Sequence, residues 1–265
     1  MKIKLDELEK KYEPLSGKLG SNYFNEYVIE WFDNVPSTMD VVEENIKKNI
    51  FNKIVVANYQ DKGQGRFGRQ WESPIGKNLL LSLPLELDSQ NLNRIPVISA
   101  VSVLNVIRFF LKDSEEISIK WPNDILVNEK KISGIIIKTF SNQKKSIVNL
   151  GIGININTKL SDYKDFDFKA TSLRIENELV FDIYHVFYKL IRSLSDSLKS
   201  DYFDIFNYWK EKILIPKKNI NIRIAEYSDN IACKPIGVNN QGLLVVETEI
   251  GDRLELTSEE VTFHY

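Results

Sequence analysis

The sequence predicts an α+β fold followed by a small all-β unit. Strand-like apolar runs and helix-period stripes interleave over residues 27–215. Pro216-Lys217-Lys218 then reads as a boundary, and beyond it only strand-like patterning remains, as in a small barrel.

Taken in order, residues 1 to about 30 form a charged lead-in whose helical starts are interrupted by Pro14, Gly17 and Gly20. Tyr27–Phe32 reads as a strand. Pro36-Ser37-Thr38-Met39-Asp40 opens a helix through Lys48, with Ser37 or Thr38 as N-cap and Asp40 and Glu43 at its positive end. Strands are expected at Ile54–Ala57 and Leu79–Leu85. Pro96 suits the first turn of a helix through Lys112, whose stripe is Val97, Ala100, Val101, Leu104, Ile107 and Leu111. Ile117–Trp121 with Asp124–Val127, and Lys131–Thr139, are strands joined by the hairpin candidate Asn128-Glu129-Lys130. Ser146–Asn157 is a further strand, and residues 158–172 form a polar, aromatic-rich loop. Tyr184, Phe187, Ile191, Leu194 and Leu198 mark one helix; Tyr202, Phe206, Trp209 and Ile213 mark another. In the tail, Ile220, Ile222 and Ile224 alternate, Asn239–Gly242 and Gly251-Asp252 turn, and Leu243–Thr248, Arg253–Leu256 and Val261–Phe263 complete a set of short strands.

The chain has 265 residues and 43% hydrophobic content, enough for a sizeable core. A formal net charge of −2 gives no bulk attraction to nucleic acid or anionic lipid, so any anion site must be local. Cys233 is the only cysteine, which excludes an intrachain disulfide and a cysteine metal cluster and makes a reducing cytoplasm the simplest setting. The two histidines, His185 and His264, read as ordinary surface residues, which speaks against a histidine triad or multi-histidine metal site. No signal-peptide region or run of 18 or more apolar residues is found, so a membrane span is not expected.

Chemistry concentrates in four segments. The first is Gly63-Gln64-Gly65-Arg66-Phe67-Gly68-Arg69-Gln70-Trp71. Its glycines permit close approach and positive φ, its exposed N–H groups suit an anion nest, and its arginines are forked donors for phosphate or carboxylate. The glycines match the dinucleotide fingerprint G-x-G-x-x-G, but that motif must open a helix; here Pro74 and Gly76 follow and then another strand. A Walker loop fails because Arg69-Gln70 stands where Lys-Ser/Thr is needed. A solvated glycine-rich turn stays open at this point. The second segment is Lys120-Trp121-Pro122-Asn123-Asp124: Lys120 is a point charge for an anion, and Asp124 can hold Mg²⁺ or orient a basic residue. The alternative there is a strand interrupted by a turn, with Trp121 in the core. The third is Lys131 with Gly134, and the fourth Gly151-Ile152-Gly153-Ile154-Asn155. Glycines inside β-branched strands leave room on one face, and Asn155 can both donate and accept, which suits an adenine edge. Thr171-Ser172-Leu173 is placed to cap a short helix or line the site.

In chain order, Ser37-Thr38, Gln60 with Gly63–Trp71, Lys120–Asp124 with Lys131, and Gly151–Asn155 resemble the biotin protein ligases over about residues 28–265, and the C-terminal β unit is similar to that family's. The resemblance implies the mixed-sheet catalytic fold of the biotin/lipoate ligases over residues 1–215, with 1–26 as lead-in, and an SH3-like β-barrel over 216–265. It implies ATP-dependent, AMP-forming activation of biotin to biotinyl-5′-AMP, then transfer to a lysine of a biotin carboxyl carrier protein, with Mg²⁺ and no covalent enzyme intermediate. The lack of a convincing Cys, His or Ser nucleophile agrees with that. By resemblance, Arg66, Lys120 and Lys131 are the catalytic residues. Ser37, Thr38, Gln60, Gly63, Gly65, Arg66, Lys131, Gly134, Ile135 and Gly151 bind biotin, with Ile135 and Ile152 as its apolar floor. Arg66, Arg69, Trp71, Asn123 and Asn155 serve the nucleotide, and Asp124 the metal. Two residues depart from the pattern: Met39 stands where Asn is usual, and Gln64 where Arg is usual. Ser37 arrives too early for a preceding helix-turn-helix, so the expectation is the monofunctional type without specific DNA binding. A homodimer is left open.

Overall fold

The computed structural model describes residues 1–13, 23–111, 115–141, 146–163, 169–215, 219–222 and 231–257. The elements are β1 (Lys2–Ile3), α1 (Leu5–Tyr12), β2 (Val28–Phe32), α2 (Thr38–Lys47), β3 (Lys53–Ala57), β4 (Leu79–Leu87), α3 (Ile95–Phe110), β5 (Ile117–Lys120), β6 (Asp124–Val127), β7 (Lys130–Ser141), β8 (Ser146–Ile154), α4 (Leu173–Asn177), α5 (Ile183–Lys199), α6 (Tyr202–Lys212), β9 (Ile213–Leu214), β10 (Ile220–Ile222), β11 (Ile231–Val238), β12 (Leu244–Thr248) and β13 (Arg253–Leu256).

Nine of these strands form one mixed sheet in the order β1-β2-β3-β4-β8-β7-β6-β5-β9, with β2/β3 and β5/β9 parallel and the other pairs antiparallel. Period-2 alternation divides its side chains between two layers. Ile54, Val56, Leu81, Leu83, Ile135, Leu150, Ile152 and Ile154 join the main core together with buried side chains of α3 and α5. The opposite face carries a smaller cluster of Val42 and Ile46 from α2 with Val55 and Ile147, and it carries the site described below.

Segment Ser89–Phe110 is long and apolar enough to cross a membrane, but most of it is buried inside the protein as the central core helix with its preceding 3₁₀ turn. Its placement explains why α3 is apolar nearly all round. At the β6–β7 junction Asn128 and Glu129 both have positive φ (48° and 63°), the geometry of a two-residue type I′ hairpin.

The remaining strands form an antiparallel sheet, β10-β11-β12-β13, as expected of a small SH3-like unit. Trp121 Nε1 donates to Gly242 O (3.1 Å) and ties this sheet to the larger one. Strand β11 has no counterpart in the sequence reading: Pro235 and Gly237 disguise it, and a register shift between them absorbs the irregularity. The expected strand Val261–Phe263, Ile224, His264, Lys112 and the boundary Pro216–Lys218 lie outside the described residues.

Two expectations are corrected. The first residues are more than a lead-in: β1 pairs with β2, and α1 packs on α5. His185 is no ordinary surface residue. Its ring stacks on Tyr12 of α1 at 4.6 Å and meets Phe109 and Phe110 edge-on, and burial holds its pKa below the usual histidine value.

Candidate active site

A cavity of about 690 Å³ opens on the α2 face of the large sheet, over β4, β8 and β7. That size suits a small-molecule site.

One end is polar and buried. The chain turns into α2 through Ser37, which occupies the N-cap position but makes no capping bond. Its fully buried Oγ has no hydrogen-bond partner. Thr38 N and Oγ1 both donate to Gln60 Oε1 (2.6 and 2.9 Å), and Thr38 Oγ1 lies 2.8 Å from Ser82 Oγ. The capping explanation of Ser37-Thr38 therefore gives way to a polar niche built from α2, Gln60 and β4.

The floor follows from register. Gly134 pairs with Gly153, and Ile136 with Gly151, so these four share one face. A Cβ on Gly153 would lie 2.6 Å from Trp71 Cε2; one on Gly134 would lie 2.8 Å from Trp71 Cζ3; one on Gly151 would lie 2.6 Å from Met39 Sδ. The indole of Trp71 and the thioether of Met39 thus rest directly on strand backbone. Ile135 and Ile152 do border the cavity, but their side chains lie on the other face, inside the main core. The side chain available as apolar floor is Ile136, one residue along. A one-residue offset exchanges faces in a strand, and the sequence alone does not say which face is the pocket.

Segment Gly63–Trp71 is a miniature hairpin. Trp71 N donates to Gly63 O (2.9 Å) and Gly65 N to Arg69 O (2.8 Å). Phe67 and Gly68 turn the tip with φ of 56° and 72°. The loop is fastened outward by Gln64 Nε2 donating to Asp40 Oδ1 (2.6 Å), Gln70 Nε2 to Asp61 O (3.0 Å) and Arg66 Nη1 to Asn123 Oδ1 (3.3 Å). Arg66 and Arg69 both line the cavity.

Facing the loop, Trp121-Pro122-Asn123 makes the β5–β6 turn, with a cis peptide before Pro122. Trp121 is in the core, as its strand-and-turn reading expects. Asn123 Nδ2 donates to Ile135 O (2.6 Å), fixing the turn on β7. Asp124 is ion-paired with Lys131 (2.8 Å), the geometry of one of its two expected roles, orienting a basic residue. Lys131 Nζ also stands 5.3 Å from the Trp71 ring, within cation–π range. Lys120 lines the same cavity.

Five cations (Arg66, Arg69, Lys120, Lys131, Lys169) and three carboxylates (Glu72, Asp124, Glu129) border the cavity. This is the local anion preference that the net charge of the chain conceals.

Asn155 lines the cavity, and its amide is already engaged: Oδ1 accepts from Asn78 Nδ2 (3.2 Å) and Nδ2 donates to Thr171 O (3.1 Å). Ser172 caps α4 by accepting from Ile175 N (3.1 Å). Burial pushes the Tyr163 phenol pKa well up, so it stays protonated and donates to Thr171 O (3.0 Å).

The structure therefore brings Ser37, Thr38, Gln60, Gly63, Gly65, Arg66, Arg69, Trp71, Lys120, Asn123, Asp124, Lys131, Gly134, Gly151 and Asn155 around one space. Sequence reasoning missed Ser82, Ile136, Asn78 and Asp40. The signal for Ser82 was its isolation as a polar residue in the run Leu79–Leu85; Asn78 and Asp40 carry no comparable mark.

Residues 31–155 match the model of the biotin/lipoate A/B protein ligase family. The chain is 30% identical over 230 residues to the bifunctional ligase/repressor BirA of Bacillus spizizenii, covering 83% of this chain and 69% of that protein. It is 27% identical over 218 residues to the human biotin–protein ligase, covering 75% of this chain and 29% of that one. Among solved structures, the biotin protein ligase of Aquifex aeolicus in complex with biotin and ATP superposes with a TM-score of 0.70 at 27% identity, covering 89% of this chain and 98% of that one. The chain belongs to the biotin/lipoate A/B protein ligase family.

Proposed function

We propose that this protein is a biotin protein ligase. It joins biotin to ATP as biotinyl-5′-AMP with release of pyrophosphate, then transfers the biotinyl group to a lysine of a biotin carboxyl carrier protein. The observation that carries this is a single cavity with a buried, under-satisfied polar niche at one end and a cationic loop at the other.

In the first step a biotin carboxylate oxygen attacks the α-phosphorus and the P–O bond to pyrophosphate breaks. In the second the acceptor amine attacks the acyl carbon, an amide forms, AMP leaves and the amine loses a proton. Neither step needs an enzyme nucleophile, so catalysis rests on positioning and charge stabilisation. Ser37, Thr38 and Gln60 take the ureido group, which needs both donors and acceptors, and Met39 and Ile136 flank the ring. Lys131, held by Asp124, stands where carboxylate and α-phosphate meet. Arg66, Arg69 and Lys120 balance the phosphates, while Trp71, Asn123 and Asn155 serve the nucleoside side.

Among the described residues no group of three or more His, Cys, Asp or Glu is arranged around a metal. Mg²⁺ would enter as part of the ATP substrate, in keeping with its habit of using phosphates, water and one or two carboxylates. Asp124 is the protein carboxylate expected beside it. In this reading residues 1–215 carry the chemistry, residues 216–265 form a C-terminal unit, and the dependence on ATP supports a cytoplasmic setting.

The family also contains lipoate ligases. The polar niche favours biotin, because a dithiolane ring would leave the buried Ser37 Oγ, which has no partner within the protein, unpaired. Exchange of labelled pyrophosphate into ATP, with biotin or lipoate as the acid, tests this. Biotin-dependent exchange is expected; exchange with lipoate alone would overturn it.

A further inference from the structure

We propose that Asn78 is a positioning residue of the nucleotide subsite, acting through Asn155 and the segment after Trp71. The inference rests on the ligase reading above.

Asn78 precedes β4 and is 3% exposed. A side-chain amide offers two N–H donors and an oxygen with two lone pairs, and all four are used. Nδ2 donates to Ser73 Oγ (3.0 Å) and Asn155 Oδ1 (3.2 Å); Oδ1 accepts from Ile156 N (3.0 Å) and Thr158 Oγ1 (2.7 Å). With no valence left, Asn78 cannot itself bind substrate. It sets the end of β8 relative to Ser73, two residues beyond Trp71.

It also fixes which end of the Asn155 amide is oxygen. Asn155 is held between a donor, Asn78 Nδ2, and an acceptor, Thr171 O, so only one amide orientation satisfies both. Asn155 borders the cavity, and that orientation decides whether a donor or an acceptor meets a base edge. Asn78→Asp keeps the shape but places an acceptor against Asn155 Oδ1. Flipping Asn155 to relieve this would set its oxygen against Thr171 O. Neither orientation is then satisfied.

The test compares wild type, Asn78→Asp, Asn155→Ala and the double variant in the full chain. Biotin-dependent pyrophosphate exchange is measured, together with direct titration of biotin and of ATP. Asn78→Asp is expected to raise KM for ATP about tenfold, the scale of one misplaced buried hydrogen bond, and to leave biotin affinity within about twofold. In the Asn155→Ala background its effect should shrink to what the Ser73 link alone carries. Parallel loss of biotin and ATP affinity, or full additivity in the double variant, would overturn the proposal. If Asn78→Asp fails to bind biotin at all, Asn78→Ser is read by the same criteria. Failure of the ligase reading shows separately, as absence of exchange in wild type, and the ATP titration still decides the role of Asn78.

Discussion

Gly151 and Gly153 lie two residues apart on β8 and point into the same cavity, yet they should govern different substrates. Carbon atoms in ordinary contact stand about 3.5–4.0 Å apart. A methyl on Gly153 would meet Trp71 Cε2, Cζ2 and Nε1 at 2.6, 2.7 and 3.0 Å, so the indole must withdraw by about 1 Å. It cannot do so freely, because Trp71 N is bonded to Gly63 O. Overpacking of this kind costs about 1–3 kcal/mol, offset by about 0.5–1 kcal/mol from replacing glycine within a strand. A net penalty of about 0.5–2 kcal/mol on the loop corresponds to a rise of roughly 2- to 30-fold in KM for ATP. Gly151→Ala would instead meet Met39 Sδ and Ile136 Cγ2 at 2.6 and 2.8 Å, and should raise KM for biotin on the same scale. The assay is steady-state pyrophosphate exchange with each substrate varied, alongside tryptophan fluorescence. Trp31, Trp121 and Trp209 are buried in the core, so an emission change in Gly153→Ala would come from Trp71. If Gly153→Ala leaves KM for ATP within twofold of wild type, or if both variants disturb the same substrate, the assignment of the two subsites is wrong.

Lys131→Met should lower kcat/KM for adenylation by about 10²–10³-fold, the scale of a lost charge-stabilising donor. It should cost less than about 1 kcal/mol in denaturant-measured stability, because the Asp124 pair is partly exposed. Arg66→Gly should still form biotinyl-5′-AMP but release it faster, read as adenylate escaping through a filter; slower release than wild type would contradict this. Acid should loosen α1. Burial lowers the His185 pKa, with Lys189 adding to this against Asp182 and Glu13. Burial pushes Glu13 upward, but hydrogen bonds from Lys189 and Tyr188 outweigh it and leave its pKa lowered. Both depressions give stability that is complete above the unfolded pKa and lost as pH falls towards the folded one. Protection factors of residues 5–12, with the base-catalysed intrinsic rate divided out, should therefore fall from pH 7 to about 5 through His185 and further below pH about 4.5 through Glu13, and His185→Phe should remove the first stage.

Much of the fold was legible because burial imposes period on sequence. The alternating runs of β4 and β8 and the stripe of α5 fall where their patterns place them. The failures share a cause. Strand β11 carries Pro235 and Gly237, residues that normally end strands and are tolerated here only by a bulge. The 3₁₀ turn before α3 has no periodic stripe to announce it. His185 looked solvated because a lone polar residue on a helix usually is; its partners are aromatic side chains of α1 and α3, distant in sequence.

The site was legible in its glycines and cations and illegible in its connections. Gly134, Gly151 and Gly153 advertise close approach, but what approaches is decided by register and by distant residues: Trp71 of the loop at Gly134 and Gly153, and Met39 of α2 at Gly151. The two departures from the family pattern show the same limit. From sequence, Gln64 counts as a lost cation. In the fold its amide donates to Asp40 at 2.6 Å and links the arginine loop to the first turn of α2, at the polar end of the cavity. Met39 counts as a lost hydrogen-bonding side chain, yet its thioether packs on Gly151 while its backbone carbonyl accepts from Asn149 Nδ2 (2.9 Å). Gln64 gives up a charge and gains a side-chain contact within the protein, and Met39 gives up an amide and gains packing on Gly151. Residue type alone can report the loss; only the partner's position, set by the sheet, reports the gain.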